Sequence, residues 1–197
     1  MKIPPETEDL SWTSLDRAAK RERLLAVAAE VFTRDGLEAT MAEVAQAAGA
    51  GVASVYRVFA SKEELLAALL AQRRDQIAAA AESALEHAGD RWTALRGMLE
   101  TLAEQQSATD FLGEAKHQVA DHPDVIEARA RMADALERLV AAARDEGRLR
   151  PDATAVDLRL LLIATRAARR AEPDHWRRML ALMIDALDRR RGGAPGG

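Results

Sequence analysis

The sequence predicts an all-α chain of about nine helices, and three observations carry that prediction. Alanine, leucine, glutamate and arginine dominate, while aromatic residues make up only 4% of the 197 positions. Helices tolerate that mixture and strands do not, because strands draw on β-branched and aromatic side chains. Apolar residues recur at three- and four-residue spacing along most of the chain, and no segment reads as a credible strand. Glycine, proline and capping residues divide these patterns into helix-sized pieces.

The first helix starts after Asp16, where Leu24, Leu25, Ala28, Val31 and Phe32 form the apolar stripe and Arg17, Arg21, Glu22 and Arg34 lie off it. Gly36 ends it at a position suited to a left-handed residue, and Leu37 follows as the hydrophobic contact of such a cap. Thr40-Met41-Ala42-Glu43 is a capping box that opens a short helix, which Gly49-Ala50-Gly51 interrupts after Ala48. A third short helix runs from Val52 to about Val58, and a second capping box, Ser61 with Glu64, opens a long one reaching about His87. Beyond Gly89-Asp90, helices are predicted from Trp92 to about Ser107, from Thr109-Asp110 to near Pro123, and from Pro123 to about Glu146. The last two run over about Ala153 to Ala171 and Pro173 to Arg191, each introduced by a proline-containing turn.

The absence of cysteine removes disulfides, thiolate metal sites and thiol nucleophiles together. No segment approaches the roughly 18 uninterrupted apolar residues of a membrane span. Residues 1 to 16 carry Pro4, Pro5 and several acids where a signal peptide needs an apolar run, so a cytoplasmic location is expected. A net charge of −4 argues against a uniformly cationic polyanion binder. It leaves room for a local basic surface.

The arrangement between Thr40 and Val58, two short helices around a glycine turn, has the spacing of a helix-turn-helix. In that motif one helix spans the DNA backbone while the second enters the major groove. The second helix here begins with the small residues Gly51, Val52 and Ala53. Val55 and Phe59, four apart, can anchor it inward, and Ser54, Tyr56 and Arg57 supply donors for phosphates and base edges. The same turn is also compatible with an alanine-rich hairpin packed in a core. Its flanks favour DNA: Lys62 stands at a helix N-terminus, and Arg17, Lys20, Arg21 and Arg23 enrich the start of the first helix in positive charge.

The stretch from about Arg17 to Leu70 resembles the DNA-binding domain of the TetR (tetracycline-repressor-like) family of bacterial transcriptional regulators. The matching text is Arg23-Leu24-Leu25-Ala26-Val27-Ala28-Ala29-Glu30-Val31-Phe32, then Asp35-Gly36-Leu37-Glu38-Ala39-Thr40, Val44-Ala45 and Ala48-Gly49. It continues through Val55-Tyr56-Arg57-Val58-Phe59-Ala60-Ser61-Lys62-Glu63-Glu64-Leu65. The resemblance implies that Thr40 contacts phosphate, that Ser54 and Tyr56 face the backbone or base edges, and that Lys62 holds a phosphate. Gly51, Val52, Ala53 and Arg57 occupy positions where members differ in the sequence they read. Val58 stands where many members carry histidine, and Ala60 where proline is common, which removes one phosphate contact and shifts weight to Tyr56, Arg57 and Lys62.

The implied organisation is a flexible arm over residues 1–15, a helix-turn-helix domain over 16–70, a helical ligand-binding and dimerisation domain over 71–191, and a disordered tail over 192–197. For the ligand the candidate residues are Trp92, Arg96, Met98, Leu102, Gln106, Phe111, His117 and Met132, with Gln105 and Arg129 as further polar groups; each apolar member also suits plain core. Few aromatics argue against a cage for large planar cations, and the ligand is expected to be a small apolar or amphipathic organic molecule. The last two helices carry two stripes, Val156, Leu160, Ile163 and Ala167, and then Trp176, Leu180, Met183, Ile184 and Leu187. Burial within the monomer and packing against a second copy are both open; the resemblance favours the dimer, with Leu160, Ile163, Ala167, Trp176, Leu180, Met183, Ile184 and Leu187 at its interface.

His117, Asp121 and His122 lie close in sequence but lack a second cluster to complete a metal site, so neither metal nor cofactor is expected. No catalytic motif is present. The predicted protein is a dimeric regulator, most simply a repressor, that binds a palindromic double-stranded operator and is released by a small molecule. An activator or ligand-independent regulator, or an all-α enzyme or adaptor, is the alternative.

Overall fold

The computed structural model describes residues 11–86, 89–105 and 111–189. Among the described residues nine α-helices follow one another: α1 Arg17–Asp35, α2 Met41–Ala47, α3 Val52–Tyr56, α4 Lys62–Glu86, α5 Arg91–Glu104, α6 Phe111–Ala115, α7 Pro123–Asp145, α8 Ala155–Ala171 and α9 Trp176–Leu187. They contain no strand, only one isolated bridge between Leu149 and Asp188. The predicted all-α class is what the molecule shows.

Local chemistry explains most of the helix ends. The Asp16 side chain accepts the Ala19 N–H at 2.8 Å and caps α1, and Gly36 closes that helix at φ 72°. At α2 both bonds of the expected Thr40–Glu43 box are made. At α4 the box differs from the prediction. Ser61 Oγ accepts the Glu64 N–H at 3.1 Å, but the Glu64 carboxylate reaches one residue further back, to the Ala60 N–H at 2.7 Å. A box that the sequence reading passed over, Thr154 with Asp157, starts α8 at Ala155.

Three predicted spans are corrected. The helix expected to run from Thr109-Asp110 to Pro123 is helical only over Phe111–Ala115 among the described residues. Beyond it Gln118 and His122 bond to the carbonyls three residues back, forming turns that aim Ala115 and Val119 into the core. Residues 173–175 form a turn, so Pro173 precedes α9 instead of starting it. The third helix stops at Tyr56 rather than Val58. The expected ends at His87 and Ser107, and the start at Thr109-Asp110, lie outside the described residues, as do residues 1–10 of the arm and the 192–197 tail. Of the arm's last residues, Trp12–Ser14 make a 3-10 turn with Trp12 half-buried.

The helices build two cores joined by α4. The first gathers Leu24, Ala28 and Phe32 of α1, Val44 and Ala45 of α2, Val55, Phe59 and residues 65–70 of α4. Phe111, Leu112, Ala115, Val119 and Val125 close it, so this core reaches well beyond residue 70. The second gathers Ala78, Ala81 and Ala84 of α4 with the inner faces of α5, α7, α8 and α9. Between them, residues 72–76 of α4 are polar, Gln72-Arg73-Arg74-Asp75-Gln76.

Asp75 accepts a bidentate pair from Arg131 at 2.9 and 3.0 Å, and Glu82 accepts from Arg138 at 3.0 Å. The equal steps along both helices show that α4 and α7 run side by side in the same direction. Exposed pairs of this kind contribute about 0–1 kcal/mol each, so they set register more than stability. At the far end Arg148 pairs with the buried Asp188 at 3.0 Å, fastening the end of α9 to the α7–α8 turn. No helix among the described residues is long and apolar enough to cross a membrane.

Candidate nucleic-acid interface

The turn between α2 and α3 depends on one backbone angle. Gly49 sits at φ 65°, and the chain folds back so that the Gly49 N–H reaches the Gln46 carbonyl at 3.1 Å and the Ala50 N–H reaches the Ala45 carbonyl at 2.9 Å. This pair of bonds is a Schellman closure, which satisfies carbonyls that a helix end leaves free. A β-carbon at Gly49 would come no nearer than 3.8 Å to its neighbour, the Arg23 guanidinium, so the angle and not the space sets the cost of a side chain. Gly49→Ala is therefore expected to lower stability by about 1–2 kcal/mol, measured as a lower urea midpoint at unchanged slope. Equal midpoints would contradict this account of the turn.

Gly51 precedes α3, and Val55 and Phe59 are fully buried beneath it. Anchoring those two turns the opposite face outward. Val52 is 44% and Tyr56 47% exposed, and Gly51, Ala53 and Arg57 are exposed beside them. Val52 with Tyr56, and Ala53 with Arg57, are four apart and share that face. Ser54 is half-buried, so it sits at the edge of the surface. Five of the six residues named on this helix and its flanks thus stand together on one open face.

The surrounding cations are held by aromatic rings. The Arg21 guanidinium lies 4.6 Å over the buried Phe59 ring, and the Lys20 ammonium 5.8 Å from the Trp12 ring. Arg17 is exposed, whereas Arg34 is tied to Asp35 by a bond of 2.8 Å.

Two of the expected phosphate contacts are arranged differently. The Thr40 hydroxyl spends its single proton on Glu43 at 2.8 Å, while Glu43 also accepts the Thr40 N–H at 2.7 Å. Those two bonds, the backbone one first, hold the Glu43 carboxyl below its ordinary range. Thr40 is a satisfied cap in this DNA-free chain, its hydroxyl directed to Glu43. The Lys62 ammonium donates to the Leu37 carbonyl and lies 5.7 Å over the Phe32 ring. Half-buried and turned inward, it clamps the start of α4 onto the α1–α2 connection instead of projecting toward solvent. Residue spacing placed Lys62 at a helix start correctly but held no information about a carbonyl 25 positions away.

The ligand candidates scatter. Met98, Leu102 and Gln105 line one cleft of about 730 Å³ between α4 and α5. Trp92 and Met132 are buried in the second core away from it. Phe111 packs against Phe32 in the first core with ring centres 5.5 Å apart. Arg96 faces solvent and pairs with Glu100 at 2.9 Å, His117 and Arg129 are exposed, and Gln106 lies outside the described residues. The rest of the cleft, including Arg73, Gln76 and Gly97, was missed. The one available signal was Arg73-Arg74 inside an otherwise alanine- and leucine-rich helix. Among the described residues no three His, Asp or Glu side chains come together as metal ligands.

The dimer candidates divide between two environments. On α8, Leu160 is 53% and Ile163 51% exposed, with Val156 and Ala167 on the same open stripe. On α9, Trp176, Leu180 and Ile184 are buried in the second core, and Met183 and Leu187 are half-buried. Trp176 is held there by two guanidinium groups, Arg169 at 3.8 Å and Arg177 at 4.6 Å from the ring. The exposed large apolar residue of α9 is Leu182, which the sequence reading did not name. Helix α9 carries apolar side chains on both faces, and the stripe of Trp176, Leu180 and Ile184 is the one buried within the chain.

Residues 24–69 match the sequence model of bacterial regulatory proteins of the tetR family, and residues 84–189 match that of the C-terminal domain of SbtR-like transcriptional regulators. A comparison with curated proteins finds no match. Among solved structures, a TetR transcription regulatory protein from Mycobacterium vanbaalenii is 28% identical, with 88% of this chain and 97% of that one aligned and a TM-score of 0.67. A TetR family transcriptional regulator from Thermus thermophilus is 26% identical over 85% of this chain and all of that one, with a TM-score of 0.65. A TetR regulator from Streptomyces coelicolor is 25% identical over 85% and 98%, with a TM-score of 0.66. These relatives are transcription regulators, not enzymes. With a helix-turn-helix on buried anchors and both halves matched, the chain belongs to the TetR family of bacterial transcriptional regulators.

Proposed function

We propose that this regulator acts in the cytoplasm as a homodimeric repressor, binding a palindromic operator through α3 and leaving it when a small molecule occupies the helical region beyond. The observation that carries the reading is the face of α3. Val52, Ala53 and Tyr56 of the five-residue helix and Arg57 at its C-cap stand exposed, while Val55 on its opposite side and Phe59 just beyond its end are fully buried. Such a helix is held rigidly and presents donors together with small apolar contacts suited to thymine methyls. Tyr56 and Arg57 take the leading polar roles, since Thr40 and Lys62 are engaged elsewhere in the protein.

The α8 stripe of Val156, Leu160, Ile163 and Ala167, with Leu182 of α9, is the face that supports a twofold dimer. A twofold axis would set the two α3 helices one DNA turn apart, about 34–36 Å. Helix α4, about 37 Å long at 1.5 Å per residue, runs through both cores and is the natural lever between ligand and DNA. A ligand that binds both states equally shifts nothing, so release requires differential affinity, typically worth about 1–3 kcal/mol.

Selection of bound fragments from genomic DNA, followed by salt titration on the recovered palindrome, tests this. Arg57→Ala is expected to weaken operator binding and to lower the slope of log affinity against log salt by about 1 per protomer if Arg57 meets a phosphate. If instead it reads a base, the loss is about 1–3 kcal/mol with relaxed sequence preference. Unchanged affinity and slope, or equal binding to palindromic and random DNA, would overturn the assignment.

A further inference from the structure

The α4–α5 cleft has a charge at one end. At about 730 Å³ it falls within the range of about 300–1,000 Å³ usual for small-molecule sites. The two helices pass in opposite directions along it, with Arg73 of α4 opposite Gln105 and Ala84 near Ala94. That run along α4 is roughly 16 Å. Arg73, Gln76 and Gln105 crowd one end, while Ala80, Ala84, Ala94, Gly97 and Met98 make the remainder small-sided and largely apolar.

Arg73 is a half-buried cation with no carboxylate partner among the described residues. Its Nη1 donates to Gln105 Oε1 at 3.2 Å and to Gln76 Oε1 at 3.4 Å, and its Nη2 to the Leu102 carbonyl at 3.4 Å. All three acceptors are neutral and all three bonds are long, although a guanidinium offers five N–H donors. Among the described residues no carboxylate is ion-paired with it. Three arginines on neighbouring helix contacts are paired with carboxylates, Arg131 with Asp75, Arg138 with Glu82 and Arg177 with Glu104, while Arg74 points away from the cleft to the Val125 carbonyl at 2.7 Å. Burial, and then the like charge of Arg166, push the Arg73 pKa down. Among the described residues no aromatic side chain lines the cleft to hold a cation by its ring face.

We infer that this cleft binds an amphipathic organic anion, a carboxylate on an aliphatic body, with the carboxylate on Arg73 and the body along the alanine, glycine and methionine walls. The inference rests on the reading of the protein as a ligand-released regulator and supplies the chemical class of that ligand. The headgroup would sit in the polar segment of α4 between the two cores.

Isothermal titration of the full chain with decanoate, decan-1-ol and decyltrimethylammonium tests it. Decanoate is expected to bind about tenfold or more tighter than the alcohol, the size of one charge-assisted contact, and the cation weakest of all. Arg73→Gln should reduce decanoate to the affinity of the alcohol, and Arg73→Lys should keep part of the difference. If Arg73 served only to cap the last turn of α5, these variants would alter stability and leave the anion-to-alcohol ratio unchanged. Gly97→Leu guards against misfolding as the explanation. A β-carbon at Gly97 meets nothing within 4 Å, so leucine would fill the groove without strain and weaken both decanoate and decanol while melting at or above the parent temperature.

Failure of decanoate to bind, equal affinity for the alcohol, or wild-type binding by Gly97→Leu would each overturn the inference. Operator binding without ligand tests the regulator reading separately. Decanoate that binds through Arg73 yet leaves operator affinity unchanged would sustain the site and remove ligand release.

Discussion

Phe59→Ala is expected to remove about 3–5 kcal/mol from the N-terminal core and to abolish operator binding. The ring is fully buried, the Phe59 backbone N–H donates to the Val55 carbonyl at 2.9 Å, and Arg21 lies across the ring face. Truncation leaves a cavity beneath the recognition helix that Val55 alone cannot close, so α3 loses the anchor that directs Val52, Tyr56 and Arg57 outward. Phe59 belongs to the first core and not the second, so the loss should be confined to the DNA-binding end. Circular dichroism during urea denaturation would show an earlier loss of part of the helical signal. Operator binding by the folded variant at wild-type strength would contradict this account.

Leu160→Glu is expected to separate the proposed dimer while sparing the fold of each protomer. Leu160 is 53% exposed within one chain, so a carboxylate there meets water and costs the monomer little. At a twofold face the same patch appears on both copies, and two carboxylates would be brought together and stripped of water. A penalty of several kcal/mol raises the dimer dissociation constant at least about 100-fold. Sedimentation at micromolar concentration should then show monomers with an unchanged circular dichroism spectrum. Operator affinity should fall as well, because each protomer alone presents one recognition helix. A variant that remains dimeric at wild-type strength would remove α8 from the interface.

The DNA-binding end was readable in the sequence because its signals are local. Asp16 at the start of α1, the Thr40–Glu43 box and Gly36 and Gly49 at positive φ each act through bonds to residues within five positions. Anchors Val55 and Phe59 could be assigned to the inside because a short helix has one way to bury two residues four apart. The ligand region was not readable in this way. Met98 and Leu102 were found at the cleft, but so were Trp92 and Met132 proposed, and all four repeat at helical spacing. Periodicity identifies the buried face of a helix; it does not say whether a cleft lies behind it.

By itself the sequence determined the helical class, most helix starts and stops, and the helix-turn-helix with its outward face, since each of these follows from hydrogen bonds and side-chain spacing within about a dozen residues. Tertiary structure decided the rest. It turned Lys62 inward to a carbonyl 25 residues away and drew Phe111 into the N-terminal core against Phe32. It placed Trp176, Leu180 and Ile184 inside while leaving Leu160, Ile163 and Leu182 outside. It left Arg73 beside Gln105 with no carboxylate partner among the described residues. An apolar or charged side chain is satisfied by whichever neighbour the chain's return brings to it, and that neighbour is set by packing between distant helices, which local periodicity does not encode.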